Sequence, residues 1–132
     1  MTTFKQLQAK FEEAHTEQEK KALRQERDYL YIATRGGEAS RAGEKKISLA
    51  VKGIKLLKRL NRLIDRELII SNDERLYNEK TLSRIEAAEN DLISKINKTL
   101  KPFKIAVAFN TYAYLYDTTK GRGYQLGLNF VF

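Results

Sequence analysis

Residues 45–66 read KKISLAVKGIKLLKRLNRLIDR, and this stretch decides how the chain folds. Its apolar residues recur at steps of three and four, which is the spacing of an α-helix. Five cations recur at the same steps, and at about 100° per residue they lie within a sector of about 80° on one helix face. The stretch therefore predicts an amphipathic helix whose cationic face consists of Lys52, Lys55, Arg59, Arg62 and Arg66.

We expect this basic helix to run from about residue 44 to residue 70. Apolar residues cover about two-thirds of its circumference, in two stripes that begin at Ile47 and Leu49. A helix with so broad an apolar surface needs more than one neighbour, so we expect it at the centre of a bundle or against another chain. Gly53 in its middle predicts a close helix crossing.

The residues before the basic helix predict two helices and a loop. Apolar side chains step by three and four from Phe4. Thr16-x-x-Glu19 has the pattern of a capping box, which predicts that the first helix ends there and a second begins. We expect the second helix to end near residue 33. Three of the seven glycines lie in residues 35–43, which predicts a mobile loop.

After the basic helix, the pattern changes from helix to strand. Residues 73–100 predict a last helix, which Pro102 closes. Residues 105–116 alternate and are rich in aromatics, so they predict a strand. A turn over residues 117–123 and a second strand over residues 124–132 complete a β-hairpin.

The predicted fold class is therefore α+β, in a single domain. A three- to four-helix bundle over residues 1–100 is followed by a C-terminal antiparallel β-hairpin over residues 103–132. One face of this hairpin is apolar and has to be covered, because a bare two-stranded hairpin is marginally stable in water. The hairpin and the basic helix together offer more apolar surface than this chain covers alone, which predicts a homodimer.

The positive charge of the chain is concentrated in one quarter of it. Residues 35–66 carry ten basic and three acidic groups, whereas the whole chain has a net charge of +8. Such asymmetry favours a polyanionic partner, although a solvated face that only aids solubility is the alternative. The predicted nucleic-acid-binding residues are the five cations of the helix face and three neighbours towards the loop, Arg41, Lys45 and Lys46.

A row of tyrosines is the second candidate binding feature. Tyr112, Tyr114 and Tyr116 alternate along the predicted strand, on the side opposite its apolar face. Beside Lys120 and Arg122, an exposed row is suited to stacking on unpaired bases or to binding a protein partner. The alternative is that these tyrosines pack against a helix or a subunit, as tyrosines of half-buried strands commonly do.

Little in the chain is suited to catalysis. There is no cysteine and only one histidine, His15, so nucleophilic and general-base constellations lack material. Glu12 and Glu19 lie about one turn from His15, but a metal site needs further ligands. We therefore expect no enzyme, no metal and no cofactor. The opening residues lack the apolar run of a signal peptide, and no stretch approaches a membrane span. We expect a cytoplasmic protein without a membrane partner.

These features predict a non-enzymatic nucleic-acid-binding accessory protein that contacts the phosphate backbone through the basic helix. Base readout is not expected, because asparagines and glutamines are not arrayed beside the arginines. The alternative is a small protein-binding inhibitor or adaptor of phage or mobile-element type, for example an anti-CRISPR-like inhibitor. Such a protein would dock on a nucleic-acid-processing protein.

Overall fold

The computed structural model describes residues 3–41, 47–109, 113–122 and 125–126. Within these ranges, four α-helices precede three short strands, and this order confirms the predicted α+β fold class. A 3₁₀ turn, Lys101–Phe103, joins the last helix to the first strand. In chain order the elements are α1 (Phe4–Glu13), α2 (Glu17–Arg41), α3 (Ile47–Asn72), α4 (Glu79–Leu100), β1 (Ile105–Phe109), β2 (Ala113–Asp117) and β3 (Gln125–Leu126).

The chain begins with two helices that are separated where the sequence predicted. Thr3 caps α1, since its hydroxyl accepts a hydrogen bond of 3.2 Å from the Gln6 N–H while the Gln6 side chain accepts one from the Thr3 N–H. Thr16 opens α2 in a similar way, accepting a hydrogen bond of 3.1 Å from the Glu19 N–H. These bonds satisfy backbone donors that a helix start leaves without partners.

Helix α2 is longer than predicted, because it continues through the glycine pair at residues 36–37. The expectation of a mobile loop over residues 35–43 is therefore wrong for the part that is helical. Each glycine costs about 1 kcal/mol in a helix interior, so packing has to offset it. The Arg35 guanidinium donates a hydrogen bond of 2.9 Å to the Tyr31 hydroxyl within this last part of α2. Residues 42–46 lie outside the described residues.

Helix α3 packs against both α2 and α4, as its broad apolar surface predicted. Gly53 lies at the crossing with α4, where an added Cβ would be only 2.6 Å from the Leu100 side chain. The predicted close approach at this glycine is therefore confirmed. Leu57, Leu60 and Leu100 are fully buried there and belong to the main core.

The connection between α3 and α4 is longer than predicted. Helix α4 begins at Glu79 and not near Asp73, because the Asp73 carboxylate accepts a hydrogen bond of 2.9 Å from the Arg75 N–H and holds a turn. Asn78 is the actual N-cap of α4, and its side-chain oxygen accepts a hydrogen bond of 3.2 Å from the Thr81 N–H.

The C-terminal hairpin is confirmed, but the expectation of one strand over residues 105–116 is wrong. These residues supply both β1 and β2, which pair antiparallel with Val107 opposite Leu115. Alternation along one long strand cannot be distinguished from alternation along two paired strands, so the period alone could not locate the break. Strand β3 pairs antiparallel with β2. Residues 127–132 lie outside the described part of the chain.

The sheet is held on the helices through β1. The Asn97 side chain of α4 donates a hydrogen bond of 3.1 Å to the Val107 carbonyl and accepts one of 2.7 Å from the Val107 N–H. These backbone groups would otherwise face an open sheet edge. Ile105 and Leu115 are fully buried in the core, as predicted for the apolar face, whereas Phe109 on the same face is 43% exposed.

Candidate nucleic-acid interface

The cationic face of α3 is exposed along its whole length. The opposite side of the helix carries the buried Leu57, Leu60 and Ile64, which fix the helix rotation so that the cations point outwards. Among the described residues, no hydrogen bond or ion pair engages any of the five side chains. At 1.5 Å per residue, the row is about 21 Å long. The exposed side chains are those of Lys52, Lys55, Arg59, Arg62 and Arg66.

The cationic face is separated from α2 by polar contacts that join the two helices. The Lys58 ammonium lies 5.2 Å from the centre of the Tyr29 ring. The Asn61 amide donates a hydrogen bond of 2.8 Å to the Tyr29 hydroxyl, and Lys21 forms an ion pair with Asp65. Burial raises the pKa of Tyr29, and the hydrogen bond with Asn61 acts in the opposite direction. Lys58 is also exposed, but it contributes to the contact between the two helices through the Tyr29 ring.

On its α4 side, the cationic face borders an open depression of about 370 Å³. Arg59, Arg62 and Arg66 line it together with Leu63 of α3 and Leu92 of α4. Both leucines are half-buried. The apolar periodicity of the two helices predicts both leucines on apolar sides. The sequence indicates that Leu63 lies beside the arginines, because it follows Arg62 on the same helix. The position of Leu92 beside them depends on how α4 packs against α3.

A pair of carboxyl groups lies further along the same helix interface. Glu89 of α4 is 4% exposed and shares a hydrogen bond with Glu67 of α3. Burial, this hydrogen bond and the charges of Glu67 and Glu86 raise the pKa of Glu89 to about 8. Glu89 therefore keeps its proton at neutral pH. This pair was not predicted from the sequence, because facing residues on two helices have no local signature.

The predicted extension of the cationic face towards the loop lies largely outside the described residues. Lys45 and Lys46 belong to that segment. The structure describes the backbone of Arg41 at the end of α2 but not its side chain. A contribution of these three residues to the interface stays a prediction.

The described tyrosines of the predicted row are only half-exposed. Tyr114 and Tyr116 lie with ring centroids 6.4 Å apart, and their cross-strand neighbours are Ala108 and Ala106. Both alanines are buried, so these rings lie on the face of the sheet that needs large side chains to cover small ones. This arrangement favours a packing role over base stacking. Tyr112 lies outside the described residues.

The cations near the tyrosines lie in the turn that follows β2. Lys120 and Arg122 are exposed. The Asp117 carboxylate holds this turn by accepting a hydrogen bond of 2.8 Å from the Thr119 N–H. Hydrogen bonds from Thr119 keep the pKa of Asp117 below its ordinary value, and the charge of Lys120 acts in the same direction. The use of these cations in binding stays a prediction.

Neither a metal centre nor a membrane span is evident in the described ranges. No group of three or more histidine, cysteine or acidic residues is placed to hold a metal ion there. His15 is exposed between α1 and α2, and its backbone N–H donates a hydrogen bond of 3.2 Å to the Glu19 carboxylate. Within the same ranges, each helix is too short or too polar to cross a bilayer.

Comparisons with protein-family models, curated protein sequences and solved structures found no match to this chain. The exposed cationic face is therefore the feature of the described residues that points to a function.

Proposed function

We propose that this protein is a non-enzymatic nucleic-acid-binding accessory protein whose helix α3 contacts the phosphate backbone. The observation that supports the proposal is the row of five exposed cations, which lack hydrogen-bond and ion-pair partners among the described residues. When such cations neutralise phosphates, they release the counterions condensed on the nucleic acid, and this release drives binding.

The row is unfavourable for the isolated protein. Lys55 and Arg59 lie one turn apart, as do Arg62 and Arg66, and like charges at this spacing each destabilise a helix by about 0.2–0.5 kcal/mol. No acidic side chain among the described residues pairs with any of them. A repulsive arrangement without internal compensation is typical of a functional surface.

The neighbours of α3 favour backbone contact over base readout. The major groove of DNA is about 12 Å wide, which is nearly the diameter of one helix with its side chains. Because α2 and α4 flank α3, only one of its faces is open, and the helix cannot enter the groove without them. We therefore expect binding that is salt-sensitive and largely independent of sequence.

The second candidate is an inhibitor or adaptor of phage or mobile-element type that docks on an acidic nucleic-acid-processing protein. The observation that favours it is a set of large apolar side chains left exposed at the end of α3 and in the following turn. Apolar anchors beside cations are suited to a protein interface. These exposed residues are Leu68, Ile69, Leu76 and Tyr77.

The homodimer is likewise a proposal, which exposed Ile47 and Val51 on the first turns of α3 support. Light scattering on the binding sample gives the mass that checks it. The cytoplasmic location stays a prediction.

Fluorescence anisotropy with labelled DNA and RNA at several salt concentrations tests the proposed function. If all five cations contact a single strand, the logarithm of affinity should fall against the logarithm of salt with a slope of about −3.5, which is about a hundredfold between 50 and 200 mM. The triple change Lys55→Glu, Arg59→Glu and Arg62→Glu should abolish this binding.

A matched control separates the site from the overall charge. Lys5→Glu, Lys10→Glu and Lys80→Glu alter three exposed cations on α1 and α4 and change the net charge by the same amount. This control should bind with nearly the original salt slope. Equal losses in the two triple variants, or binding that survives the α3 changes, would show that the proposed site is wrong. No binding to any probe at low salt would favour the protein-docking candidate.

A further inference from the structure

The depression between α3 and α4 combines cations with an apolar floor. Arg59, Arg62 and Arg66 line it, and we call them its cationic rim; Leu63 and Leu92 also line it, and we call them its apolar floor. Its volume of about 370 Å³ is near the lower end of the range of small-molecule pockets. Phosphates bind through charge and hydrogen bonds and gain nothing from apolar contacts. The apolar floor therefore indicates that the ligand also has an apolar group.

The spacing of the rim residues allows contacts on either side of that floor. Arg59 and Arg66 are two helical turns apart, which is about 10.5 Å along the axis. Arg62 lies between them, at the turn where Leu63 faces the depression. The two outer guanidiniums can therefore contact phosphates that flank a group lying on Leu63 and Leu92.

Duplex and single-stranded nucleic acids differ in what they present to such a surface. A duplex shows phosphates and sugars on its outside and keeps the base faces stacked inside. An unpaired base exposes its flat, apolar face, and arginine guanidiniums stack well on such faces. Only a single strand supplies both the phosphates for the rim and the apolar group for the floor.

We infer that the preferred ligand is a single-stranded nucleic acid, with one unpaired base against Leu63 and Leu92 and the flanking phosphates on Arg59 and Arg66. This inference rests on the proposed function, since it assigns a ligand to the same cationic face. The apolar floor accounts for strand preference, and the cations account for salt dependence.

Three probes with equal numbers of phosphates test the inference on the intact protein. They are an oligothymidine strand, a duplex, and an abasic strand that keeps the sugar-phosphate backbone without bases. Anisotropy should show the oligothymidine strand binding about tenfold tighter than the abasic strand, as one stacked base predicts. The two single strands should share one salt slope, because their charges are equal.

The outcomes separate the inference from the proposed function. Equal affinities for oligothymidine and the abasic strand, or tighter binding of the duplex, would overturn the inference and leave phosphate binding intact. Failure of all three probes to bind at low salt would overturn the proposed function itself.

Replacement of Leu92 locates the base. Leu92→Ser removes half of the apolar floor without changing charge, so the ratio between oligothymidine and abasic affinities should fall towards one while the salt slope is kept. Leu92→Met keeps the floor apolar and should keep the ratio. Leu82→Ser, at another half-buried leucine of α4, is the control. Both affinities are measured on the same protein sample, so partial unfolding lowers them by the same factor and leaves their ratio unchanged. An unchanged ratio in Leu92→Ser would place the base elsewhere and overturn the assignment.

Discussion

Helices α2 and α3 both carry cations at helical spacing, but the two sets have different surroundings. On α2, the Arg24 guanidinium lies 5.4 Å from the centre of the Phe11 ring, and the Arg27 guanidinium lies 5.0 Å from that of Phe4. On α3, five cations point into solvent without a partner among the described residues. Charge density alone therefore does not identify a polyanion site, because cations can equally serve internal packing.

The α2 arginines join α1 to the rest of the molecule. Helix α1 is ten residues long, and Leu7 is its buried residue. Its Phe4 and Phe11 rings contact the two arginines. Burial lowers the pKa of Arg27, which the negative charge of Asp28 opposes. A half-buried guanidinium that covers an aromatic ring contributes apolar contact as well as cation–π attraction.

The largest effect is expected when two arginines are removed from each helix in turn. Arg24→Ala with Arg27→Ala should lower the free energy of unfolding by about 2–3 kcal/mol, since each loses a cation–π contact and its packing. Arg62→Ala with Arg66→Ala should change stability by less than about 0.5 kcal/mol, because both are exposed. Urea unfolding measures the difference.

Nucleic-acid binding should show the reverse order. The α3 pair should lower the magnitude of the salt slope by about 1.4, whereas the α2 pair should leave the slope unchanged at temperatures where it is folded. The charge removed is the same in both variants. A similar loss of slope in the two, or a similar loss of stability, would remove the distinction between packing cations and free ones.

The periodicity of the sequence was enough to predict both helices and the rotation of α3. It could not distinguish the two sets of cations, because the rings that cover Arg24 and Arg27 belong to a different helix. The ends of the helices also differed from the predicted ones. The hydrogen bond from the Arg75 N–H to the Asp73 carboxylate holds a turn, so α4 begins at Glu79 and not near Asp73. The glycines after Arg35 read as a loop, although α2 continues through them.

The candidate site was predictable only in part, for the same reason. The five cations follow from spacing on one helix, whereas Leu92 and Glu89 reach the site from α4. The apolar pattern of the last helix places Leu92 on its apolar side, whereas nothing in the sequence singles out Glu89. Only the register of α3 against α4 shows which of these residues face the cationic helix.

The second prediction concerns Glu89, the buried carboxyl group between α3 and α4. The pKa of Glu89 is about 8 in the folded protein, above its ordinary value of 4.5. The folded state therefore keeps a proton that the unfolded chain loses. The resulting stabilisation is fully present below about pH 4.5 and is lost as the pH rises through about 8. Glu89→Gln should flatten this decline, with a gain over the original protein on the order of 2 kcal/mol near pH 8.

Urea unfolding at a series of pH values measures the flattening. Glu86→Gln is the control, because Glu86 lies on the same helix but is exposed. It should follow the original pH profile closely, apart from a small change through its charge on Glu89. If Glu89→Gln and the original protein lose stability in parallel above pH 5, then Glu89 is not protonated at neutral pH in the fold.

The smallest effect is expected when glycine is replaced by alanine at one position in each helix, Gly53 in α3 and Gly37 in α2. In α3, the new Cβ of Gly53→Ala would lie 2.6 Å from Cδ2 and 3.4 Å from Cγ of Leu100, which is fully buried and has little room to move. Overpacking costs about 1–3 kcal/mol, and better helix propensity returns up to about 1 kcal/mol, so a net loss of about 1 kcal/mol is expected. In α2, Gly37→Ala meets no heavy atom within 4 Å and should stabilise by up to about 1 kcal/mol. Opposite signs in urea unfolding would show that α3 is tightly confined by its neighbour while the end of α2 is not. A stabilising Gly53→Ala would mean that Leu100 yields easily and that α4 does not tightly confine α3 at this crossing.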